Sequence, residues 1–434
     1  MDLIEYIEFQ FVDILGRMKG MTVPCKHVET LEEVLSDPAI EGGTSIDGSS
    51  IIGLSLVEAS DLRLVPDPSS LIELPFAYPR TAATMCFVKE KEAVLRQTEG
   101  YYSHDTRGVL HSFCEKLPDN MHLRVKVEPE FHFVDTNGGP YDRGEYADTY
   151  PSNLSGDILL EIASAIQDMG IRPRVIHHEV GEAQQEIELD FDEVRRMADY
   201  ILLFKNTAKA IAMSNGIGVT FMPKPFPKAA GNGMHCHMQL WDGEKNLFGD
   251  GNDNEISDTA KYFIGGILEH APAITAVANP TINSYKRLVP HYEAPVYISW
   301  GPMNRTALVR VPLFVEGKKA AIEFRSGDAM ANPYLLFTSL LAAGMDGIER
   351  ELNPPEPRTE DIFHMSSEKR NSHGITMLPA NLGEALDCLE GDSVITKALG
   401  EGVTKTFLRI KREEWKEYIN FAITDWEWNL YSNN

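Results

Sequence analysis

Residues 123–134 read LRVKVEPEFHFV, and the interpretation of the larger part of the chain depends on this stretch. Its first apolar residues alternate with basic ones, which predicts a β-strand because successive side chains of a strand point to opposite faces. The polar face then carries Glu128 and Glu130, and two carboxylates on one face repel each other unless cations lie nearby. Taken alone, the pattern favours a solvated outer face on which these carboxylates pair with Arg124 and Lys126.

Three further segments change that balance, because each offers carboxylate or imidazole groups on a polar strand face. They are HHEVGEAQQEIEL (177–189), GMHCHMQLW (233–241) and AAIEFRS (320–326). Mixed carboxylate and imidazole ligation suits Mg²⁺ or Mn²⁺ better than a thiolate metal. A single histidine is more often a hydrogen-bonded core residue, so a metal site requires that these segments meet in the fold.

The net charge of the chain limits the kinds of molecule that it can bind non-specifically. The chain has 40 basic and 65 acidic residues, a net charge of −25, which argues against non-specific binding to nucleic acid or anionic membranes. Against this background, an apolar segment at 279–312 carries Lys286, Arg287, Arg305 and Arg310. Arginine fits phosphate or carboxylate groups with two hydrogen bonds, although internal ion pairs to Glu293 or Glu316 would also satisfy the charges.

Together with metal-binding carboxylates, these arginines suggest phosphoryl transfer, in which catalysis is mainly positioning and charge neutralisation. The sequence contains no GxxxxGK[ST] phosphate loop and no glycine-rich kinase loop, so a nucleotide site would be of another kind.

The organisation of the chain follows from its length of 434 residues and its pattern of apolar residues. The first ~90 residues predict strands and loops, among them 4–13 and 83–88, and the charged segment 89–100 is a candidate boundary. We therefore expect a small domain at 1–92 and a larger α+β domain at 93–434. Helical spacing predicts helices at 157–170, 191–216 and 332–350.

The five cysteines are scattered without a CxxC pair, which favours a reducing compartment. The first residues lack the basic region of a signal peptide, and no apolar run approaches the ~18–20 residues of a membrane span. These features predict a cytoplasmic protein.

Several segments, in this order, closely resemble the glutamine synthetase family. They are IDGSSIIG (46–53), VEPEF (127–131), HHEV (177–180), QEIE (185–188), TFMPKP (220–225), GNGMHCH (231–237), NPTINSYKRLVPHYEAP (279–295), NRTALVRVP (304–312), IEFRSGDAMANPY (322–334) and LPANLGEALDCL (378–389). The resemblance implies an α+β fold, with an N-terminal β-grasp domain followed by a glutamine synthetase/guanido kinase-like catalytic domain. It also implies a homo-oligomer, expected to be a dodecamer of two stacked rings with active sites between neighbouring subunits.

The resemblance further implies a role for individual residues. One divalent ion would be bound by Glu130, Glu179 and Glu186, and a second by Glu128, His235 and Glu323. Arg287, Arg325 and Gly231 would bind glutamate, and Arg305 and Arg310 would neutralise the transferring phosphoryl group. Asp47 and Ser50 of a neighbouring subunit would join Tyr146, Glu179 and Glu293 at an ammonium site. Phe191, His237 and Lys318 would contact the nucleotide.

The implied activity is ATP-dependent ligation of ammonia to L-glutamate through γ-glutamyl phosphate, with Mg²⁺ or Mn²⁺ as cofactor. A carboxylate is a poor electrophile, so phosphorylation must precede attack, and metal ions and arginines offset the charge that gathers. Ammonium must lose a proton before it attacks, for which Asp47 is a plausible base. Glu293 would lie on a flap that keeps water from the acyl phosphate. A nitrogen-regulatory protein is a possible partner.

Some positions depart from the family pattern. Ala230 stands where the family has an asparagine that touches glutamate, Gln239 and Ala321 stand where it often has a serine and an arginine near ATP, and Phe363 aligns with the tyrosine that some members adenylylate. These departures keep two other functions open: ligation of glutamate to a larger amine such as a polyamine or ethanolamine, and a non-catalytic regulatory paralogue. A guanidino-group kinase, which has a related catalytic fold and would not need the ammonium site, is a further alternative.

Overall fold

The computed structural model describes residues 3–96, 100–252, 255–290, 293–314 and 316–432. Residues 97–99 of the candidate boundary segment and residues 291–292 of the segment 279–295 therefore lie outside the described residues. Within the described ranges, no helix combines the length and apolar character needed to cross a membrane.

The N-terminal part of the chain forms one mixed sheet. Its strands are β1 (Ile4–Val12), β2 (Met18–Val28), β3 (Thr44–Asp47), β4 (Asp61–Pro66), β5 (Ile72–Glu73) and β6 (Thr81–Glu90). They lie in the order β2-β1-β6-β4-β3, with β5 paired to β6. On β1, Ile7, Phe9 and Phe11 are buried, as their alternation predicted. The same region also contains two short helices, α1 (Leu31–Val34) and α2 (Pro38–Gly42), so the expectation of strands and loops alone was wrong.

The second sheet is larger and holds the carboxylate-bearing segments. Its strands are β7 (Met121–Val134), β8 (Pro173–His178), β9 (Gln184–Glu193), β10 (Gly218–Thr220), β11 (Met234–Asp242), β12 (Lys245–Asn246), β13 (Trp300–Pro302), β14 (Val309–Val311) and β15 (Ile322–Phe324). They lie in the order β13-β14-β15-β11-β7-β9-β8, with β10 paired to β7 and β12 to β11. The apolar face of β7, including Leu123, Val125 and Val127, packs into the main core.

Helices cover the apolar face of this sheet and extend beyond it. They are α3 (Lys91–Leu95), α4 (Thr106–Cys114), α5 (Gly156–Asp168), α6 (Val194–Ser214), α7 (Asp258–Ala278), α8 (Ser284–Arg287), α9 (Pro333–Glu349), α10 (Ser367–Ser372), α11 (Leu382–Gly391), α12 (Ser393–Leu399), α13 (Glu401–Phe421) and α14 (Asp425–Tyr431). This mixture of helices and sheets confirms the predicted α+β class.

The three predicted helices exist with different bounds. Pro333 occupies the first turn of α9, as predicted, and the side chain of Asn332 caps that helix. The helix expected from residue 191 begins only at Val194, because residues 184–193 continue β9. At the start of α5, Ser155 occupies the cap position without a capping hydrogen bond, and its hydroxyl donates instead to Asp142.

A buried charge network joins the two sheets' domains. The guanidinium of Arg107 in α4 donates to Asp67 at 2.7 Å and to Asp199 of α6 at 2.9 Å. Tyr334 of α9 donates its hydroxyl to the same Asp199 at 2.6 Å. All four groups are largely removed from water, where removal of one partner of an ion pair is costly because the other charge is left buried without a counterion.

The helix α3 runs across the expected domain boundary between residues 92 and 93, and the position of that boundary stays a prediction.

Candidate active site

A cavity of about 530 Å³ opens on the polar face of the large sheet. Its lining is mostly charged or polar, and it includes Lys126, Glu128, Glu130, Tyr146, Arg174, His177, Glu179, Gln184, Glu186, Glu188, Ala230, Gly231, His235, His237, Arg287, Glu293, Arg305, Arg310 and Arg325. The face that the first segment alone favoured as a solvated outer face therefore lines a cavity.

Strand register brings the carboxylates and imidazoles together. In the antiparallel pairing of β7 with β11, Glu128 lies opposite His235, and in the pairing of β7 with β9, Glu130 lies opposite Glu186. The pairing of β11 with β15 sets His237 opposite Glu323. Directly opposed residues of antiparallel strands have their side chains on the same face. The four segments singled out in the sequence thus converge on one surface.

The first cluster surrounds Glu128 and Glu323. His235 Nδ1 lies 3.3 Å from Glu128 Oε2 and 3.6 Å from Glu323 Oε1, and His237 Nε2 lies 2.8 Å from Glu128 Oε1. Arg310 donates to Glu323 Oε2 at 2.6 Å, and Arg325 donates to the other oxygen. Burial alone would raise the pKa of Glu323, but these imidazole and guanidinium groups bring it to about 2. Glu323 is therefore ionised and already has two cationic neighbours.

The second cluster consists of carboxylates whose negative charges have fewer basic neighbours than those of the first cluster. His177 Nε2 lies 3.2 Å from Glu186 Oε1, and its Nδ1 lies 3.6 Å from Glu179 Oε1. Burial and the negative charges of Glu179 and Glu186 raise the pKa of Glu130 to about 8. Burial, with Glu128 and Glu179 nearby, raises the pKa of Glu186 to about 7. A divalent cation among these carboxylates would relieve both desolvation and mutual repulsion.

The donor chemistry fits Mg²⁺ or Mn²⁺. Potential ligand atoms of Glu128, His237 and Glu323 lie within 4.8 Å of one another, and so do those of His177, Glu179 and Glu186. Carboxylate oxygens with an occasional imidazole are the usual ligands of these ions. These tight groups contain His237 and His177, where the sequence-based sets had His235 and Glu130. Those sets stay predictions: seven of the eight side chains line the same cavity, and Glu323 is buried behind it, bonded to the lining residues Arg310 and Arg325.

Glycines allow the wall beside Arg287 to approach closely. A Cβ on Gly231 would press against the carbonyl oxygen of Pro223 and lie 2.9 Å from Cγ of Arg287. Arg287 is buried, with 3% exposure, and donates to the carbonyl oxygen of Ser326 at 2.7 Å. The predicted glutamate-binding residues Gly231, Arg287 and Arg325 therefore lie on the same cavity.

The mouth of the cavity holds three other predicted residues. Tyr146 is 58% exposed, and its ring lies edge-on to that of His177 with the centroids 5.4 Å apart. Glu293 and Arg305 are exposed residues of the lining, and Glu293 has a φ of 66°. Such a left-handed backbone is uncommon for glutamate and marks a constrained loop.

Four predicted residues lie away from this cavity within the described chain. Asp47 and Ser50 lie in the N-terminal domain, where Asp47 accepts a hydrogen bond from the hydroxyl of Ser50 at 2.8 Å. Hydrogen bonds from Ser49 and Ser50 lower the pKa of Asp47. Phe191 lies near the end of β9, and Lys318 is exposed and 3.2 Å from Glu316. The intersubunit and nucleotide roles of these residues stay predictions.

The departures from the family pattern also have defined surroundings. Ala230 lines the cavity, and Ala321 is buried beside β15. Gln239 is buried and accepts a hydrogen bond from the indole of Trp241 at 3.2 Å. The guanidinium of Arg124 lies 5.6 Å from the centre of the Trp241 ring.

Sequence reasoning did not assign functions to Gln184, Glu188 or Asp142. Gln184 donates to Glu130 Oε2 and to the carbonyl oxygen of Gly231, both at 3.0 Å. Asp142 lies 2.9 Å from Nε2 of buried His178 and accepts from the backbone of Ala183 at 3.1 Å. The alternation in QQEIEL, which puts Gln184 and Glu188 on the face of Glu186, was the available signal.

Two family models match the chain: the glutamine synthetase β-Grasp domain over residues 3–91 and the glutamine synthetase catalytic domain over residues 103–431. A glutamine synthetase of Pyrococcus horikoshii is 43% identical, covering 99% of this chain and 96% of the relative. The Methanocaldococcus jannaschii glutamine synthetase is 42% identical, covering 99% and 95%.

Solved structures agree in fold. An ADP complex of a protein named GmaS aligns with a TM-score of 0.88 at 31% identity, covering 100% of this chain and 98% of that one. The Plasmodium falciparum glutamine synthetase aligns with a TM-score of 0.84 at 26% identity, covering 99% and 96%. On this sequence and structural agreement, the chain belongs to the glutamine synthetase family, and the predictions of a β-grasp domain, a catalytic domain and a glutamate–ammonia ligase are confirmed.

Proposed function

We propose that this chain joins ammonia to the γ-carboxyl of L-glutamate, with ATP as phosphoryl donor and γ-glutamyl phosphate as intermediate. The observation that carries the proposal is the meeting of two carboxylate–imidazole clusters with Arg287, Arg305, Arg310 and Arg325 at one cavity. Such a site can gather three anionic groups, a triphosphate and the two carboxylates of glutamate, without large repulsion.

The first half-reaction forms an acyl phosphate from the γ-carboxylate. Arg287 and Arg325 hold the glutamate carboxylates against the wall formed by Gly231, and Arg310 and Arg305 neutralise the phosphoryl group as it moves. The two clusters would hold Mg²⁺ or Mn²⁺, which would supply further neutralisation of negative charge. Positioning these groups within reach of one another, together with this neutralisation of charge, supplies most of the rate enhancement.

The second half-reaction uses ammonium. Tyr146, Glu179 and Glu293 gather the cation at the cavity mouth, and Asp47 with Ser50 complete the site from a neighbouring subunit. Asp47 takes the proton, so that neutral ammonia attacks the acyl carbon and phosphate leaves. The exposed position of Asp47, away from the cavity of its own chain, is what a residue working on the next subunit requires.

The wider proposal includes the nucleotide, the assembly and the compartment. Phe191, His237 and Lys318 contact ATP. The chain assembles into a cytoplasmic homo-oligomer, a dodecamer, whose activity a nitrogen-regulatory protein can adjust.

Ala230 favours a second candidate, a ligase that joins glutamate to a larger amine. An alanine in the cavity lining leaves more space, and one fewer hydrogen-bonding group, than the asparagine of the family pattern. A non-catalytic paralogue is less favoured, because five of the six predicted metal ligands and both phosphate arginines line the cavity, and the sixth ligand, Glu323, is bonded to Arg310 of the lining.

The test is product identification by mass spectrometry after incubation with ATP, glutamate, Mg²⁺ and one amine at a time: ammonium, methylamine, ethanolamine or putrescine. We expect glutamine to form fastest. Formation of a γ-glutamyl amide from a larger amine, with no glutamine, would replace the main proposal by the second candidate. The variant Ala230→Asn provides the matched comparison: it should lower the KM for glutamate and leave the order of amines unchanged if ammonia is the substrate.

A further inference from the structure

Lys126 is a buried lysine inside the candidate active site that has no role in the proposed reaction. It lies on β7 two residues before Glu128, so its side chain shares the polar face, and it lines the cavity. Only 6% of its side chain is exposed. A lysine is rarely buried to this extent unless its ammonium is paired.

The pairing involves two carboxylates. Lys126 Nζ donates to Glu128 Oε1 at 2.6 Å and to Glu188 Oε2 at 2.9 Å. Glu188 also accepts from Arg174 Nη1 at 2.9 Å, at the outer edge of the cavity. The ammonium is therefore held between a carboxylate of the first metal-binding cluster and a carboxylate outside both clusters.

The contacted oxygen is itself a candidate ligand atom. Glu128 Oε1 is also 2.8 Å from His237 Nε2, and Glu128, His237 and Glu323 form one of the tight groups of potential ligands. A divalent ion at this oxygen must displace the ammonium or share the oxygen with a second positive charge. Displacement leaves Lys126 with Glu188 as a partner, so the lysine need not be left unpaired.

The two clusters differ in the basic side chains that contact their carboxylates. Glu323 already accepts hydrogen bonds from two arginines, and Glu128 accepts one from Lys126. In the second cluster, Glu179 and Glu186 have His177 as their closest basic neighbour among the described ion pairs. Direct competition by a lysine thus affects the first cluster.

We propose that Lys126 is a built-in competitor of the divalent ion at Glu128, and that it sets the affinity of the first cluster for metal. The inference rests on the proposed function only in taking the clusters as metal sites. A fixed positive charge 2.6 Å from a ligand oxygen weakens binding of any cation there. A hydrogen bond between charged groups is stronger than a neutral one, so its removal has a measurable effect.

The experiment is a Mn²⁺ titration of the full chain, followed by the electron paramagnetic resonance signal of free Mn²⁺, without nucleotide or glutamate. Wild type should bind ions in a tight and a weak class. Lys126→Met removes the charge and keeps the length of the side chain, and it should tighten the weak class by about 10- to 100-fold. Lys126→Arg should keep the affinity close to that of wild type.

Arg174→Met is the matched control, because Arg174 contacts Glu188 and lies on the same cavity without contacting Glu128. It should leave both classes unchanged. The double variant Lys126→Met/Glu128→Gln should lose the tightened class, which locates the effect at Glu128.

Equal or weaker Mn²⁺ binding by Lys126→Met would overturn the proposal, and so would equal tightening by Arg174→Met, which would indicate a diffuse charge effect. If Lys126→Met does not fold, Lys126→Gln answers the same question, since it also removes the charge. Failure of the proposed function looks different: Mn²⁺ would bind as expected, but ATP and glutamate would give no product with any amine.

Discussion

The unbalanced charge of the second cluster gives the sharpest prediction: Glu130→Gln should stabilise the metal-free protein. Glu130 Oε2 accepts from Gln184 Nε2 and from the backbone N–H of Gly233 at 2.8 Å, and a glutamine oxygen can accept both hydrogen bonds. The substitution therefore removes the charge while it keeps the geometry. In the wild type, that charge is buried beside Glu179 and Glu186.

The magnitude and its pH dependence follow from the pKa of Glu130, about 8 in the folded chain against an ordinary value of 4.5. The folded state holds the proton more tightly, so stability is highest below the lower value and is lost as the pH rises through about 8. Each pH unit between the two pKa values lowers the unfolding free energy of wild type by about 1.4 kcal/mol. Because the repulsion is shared with neighbouring carboxylates, we expect the unfolding free energy of Glu130→Gln to exceed that of wild type by ~2–5 kcal/mol above pH ~8. Near pH ~5, where the wild-type carboxyl is protonated when folded, the gain should vanish.

The assay is urea unfolding followed by tryptophan fluorescence, at one protein concentration, in EDTA and then in excess Mn²⁺. Metal should stabilise wild type at high pH much more than it stabilises the variant. Glu182→Gln is the control, because Glu182 is an exposed carboxylate of the neighbouring loop and should show neither effect. The reasoning would be refuted if Glu130→Gln were no more stable than wild type at high pH in EDTA. It would also be refuted if the substitution raised stability by the same amount at both pH values.

Three further predictions concern other parts of the structure. Arg305→Ala should keep Mn²⁺ binding but lower turnover by ~10²–10³, checked by steady-state kinetics beside the metal titration; wild-type turnover would remove Arg305 from the chemistry. Asp47→Ala should impair ammonium use more than acyl-phosphate formation, measured as hydroxamate production by trapping with hydroxylamine, and equal losses in both would contradict its assignment. Arg107→Met should lower the unfolding free energy by ~3–5 kcal/mol because it leaves Asp67 and Asp199 unpaired; a change below ~1 kcal/mol in urea unfolding would show that the network contributes little.

Local periodicity was enough to predict much of the fold. The alternation in β7 and β11 and the helical spacing of α9 are properties of single segments, so a strand or helix could be assigned without knowledge of its neighbours. The start of α6 was predicted too early because residues 191–193 suit a helix start as well as a strand end. There the pairing of β9 with β7 decides the conformation, and that pairing is non-local.

The site could be predicted in composition but not in its internal arrangement. His235 and His237 share one face of β11, so the sequence cannot tell which imidazole lies nearer to Glu128; strand register and side-chain rotamers decide that. Whether Lys126 faces solvent or a cavity likewise depends on segments far along the chain, such as the one carrying Arg305 and Arg310, which lines the same cavity.

The contacts of Arg107 have a consequence for engineering by domain exchange. A chimera that joins the N-terminal sheet of a relative to this catalytic domain places a different residue opposite Arg107. Unless that sheet also carries an aspartate at the position of Asp67, the buried guanidinium loses one of its two carboxylate partners. Asn332, whose amide donates to the backbone carbonyl of Asp13 at 3.2 Å, adds a second constraint on the loop that would be transplanted. The junction of a hybrid enzyme should therefore be chosen so that both members of each buried pair come from the same parent. A junction between the N-terminal sheet and the second sheet separates Asp67 from Arg107 and Asp13 from Asn332.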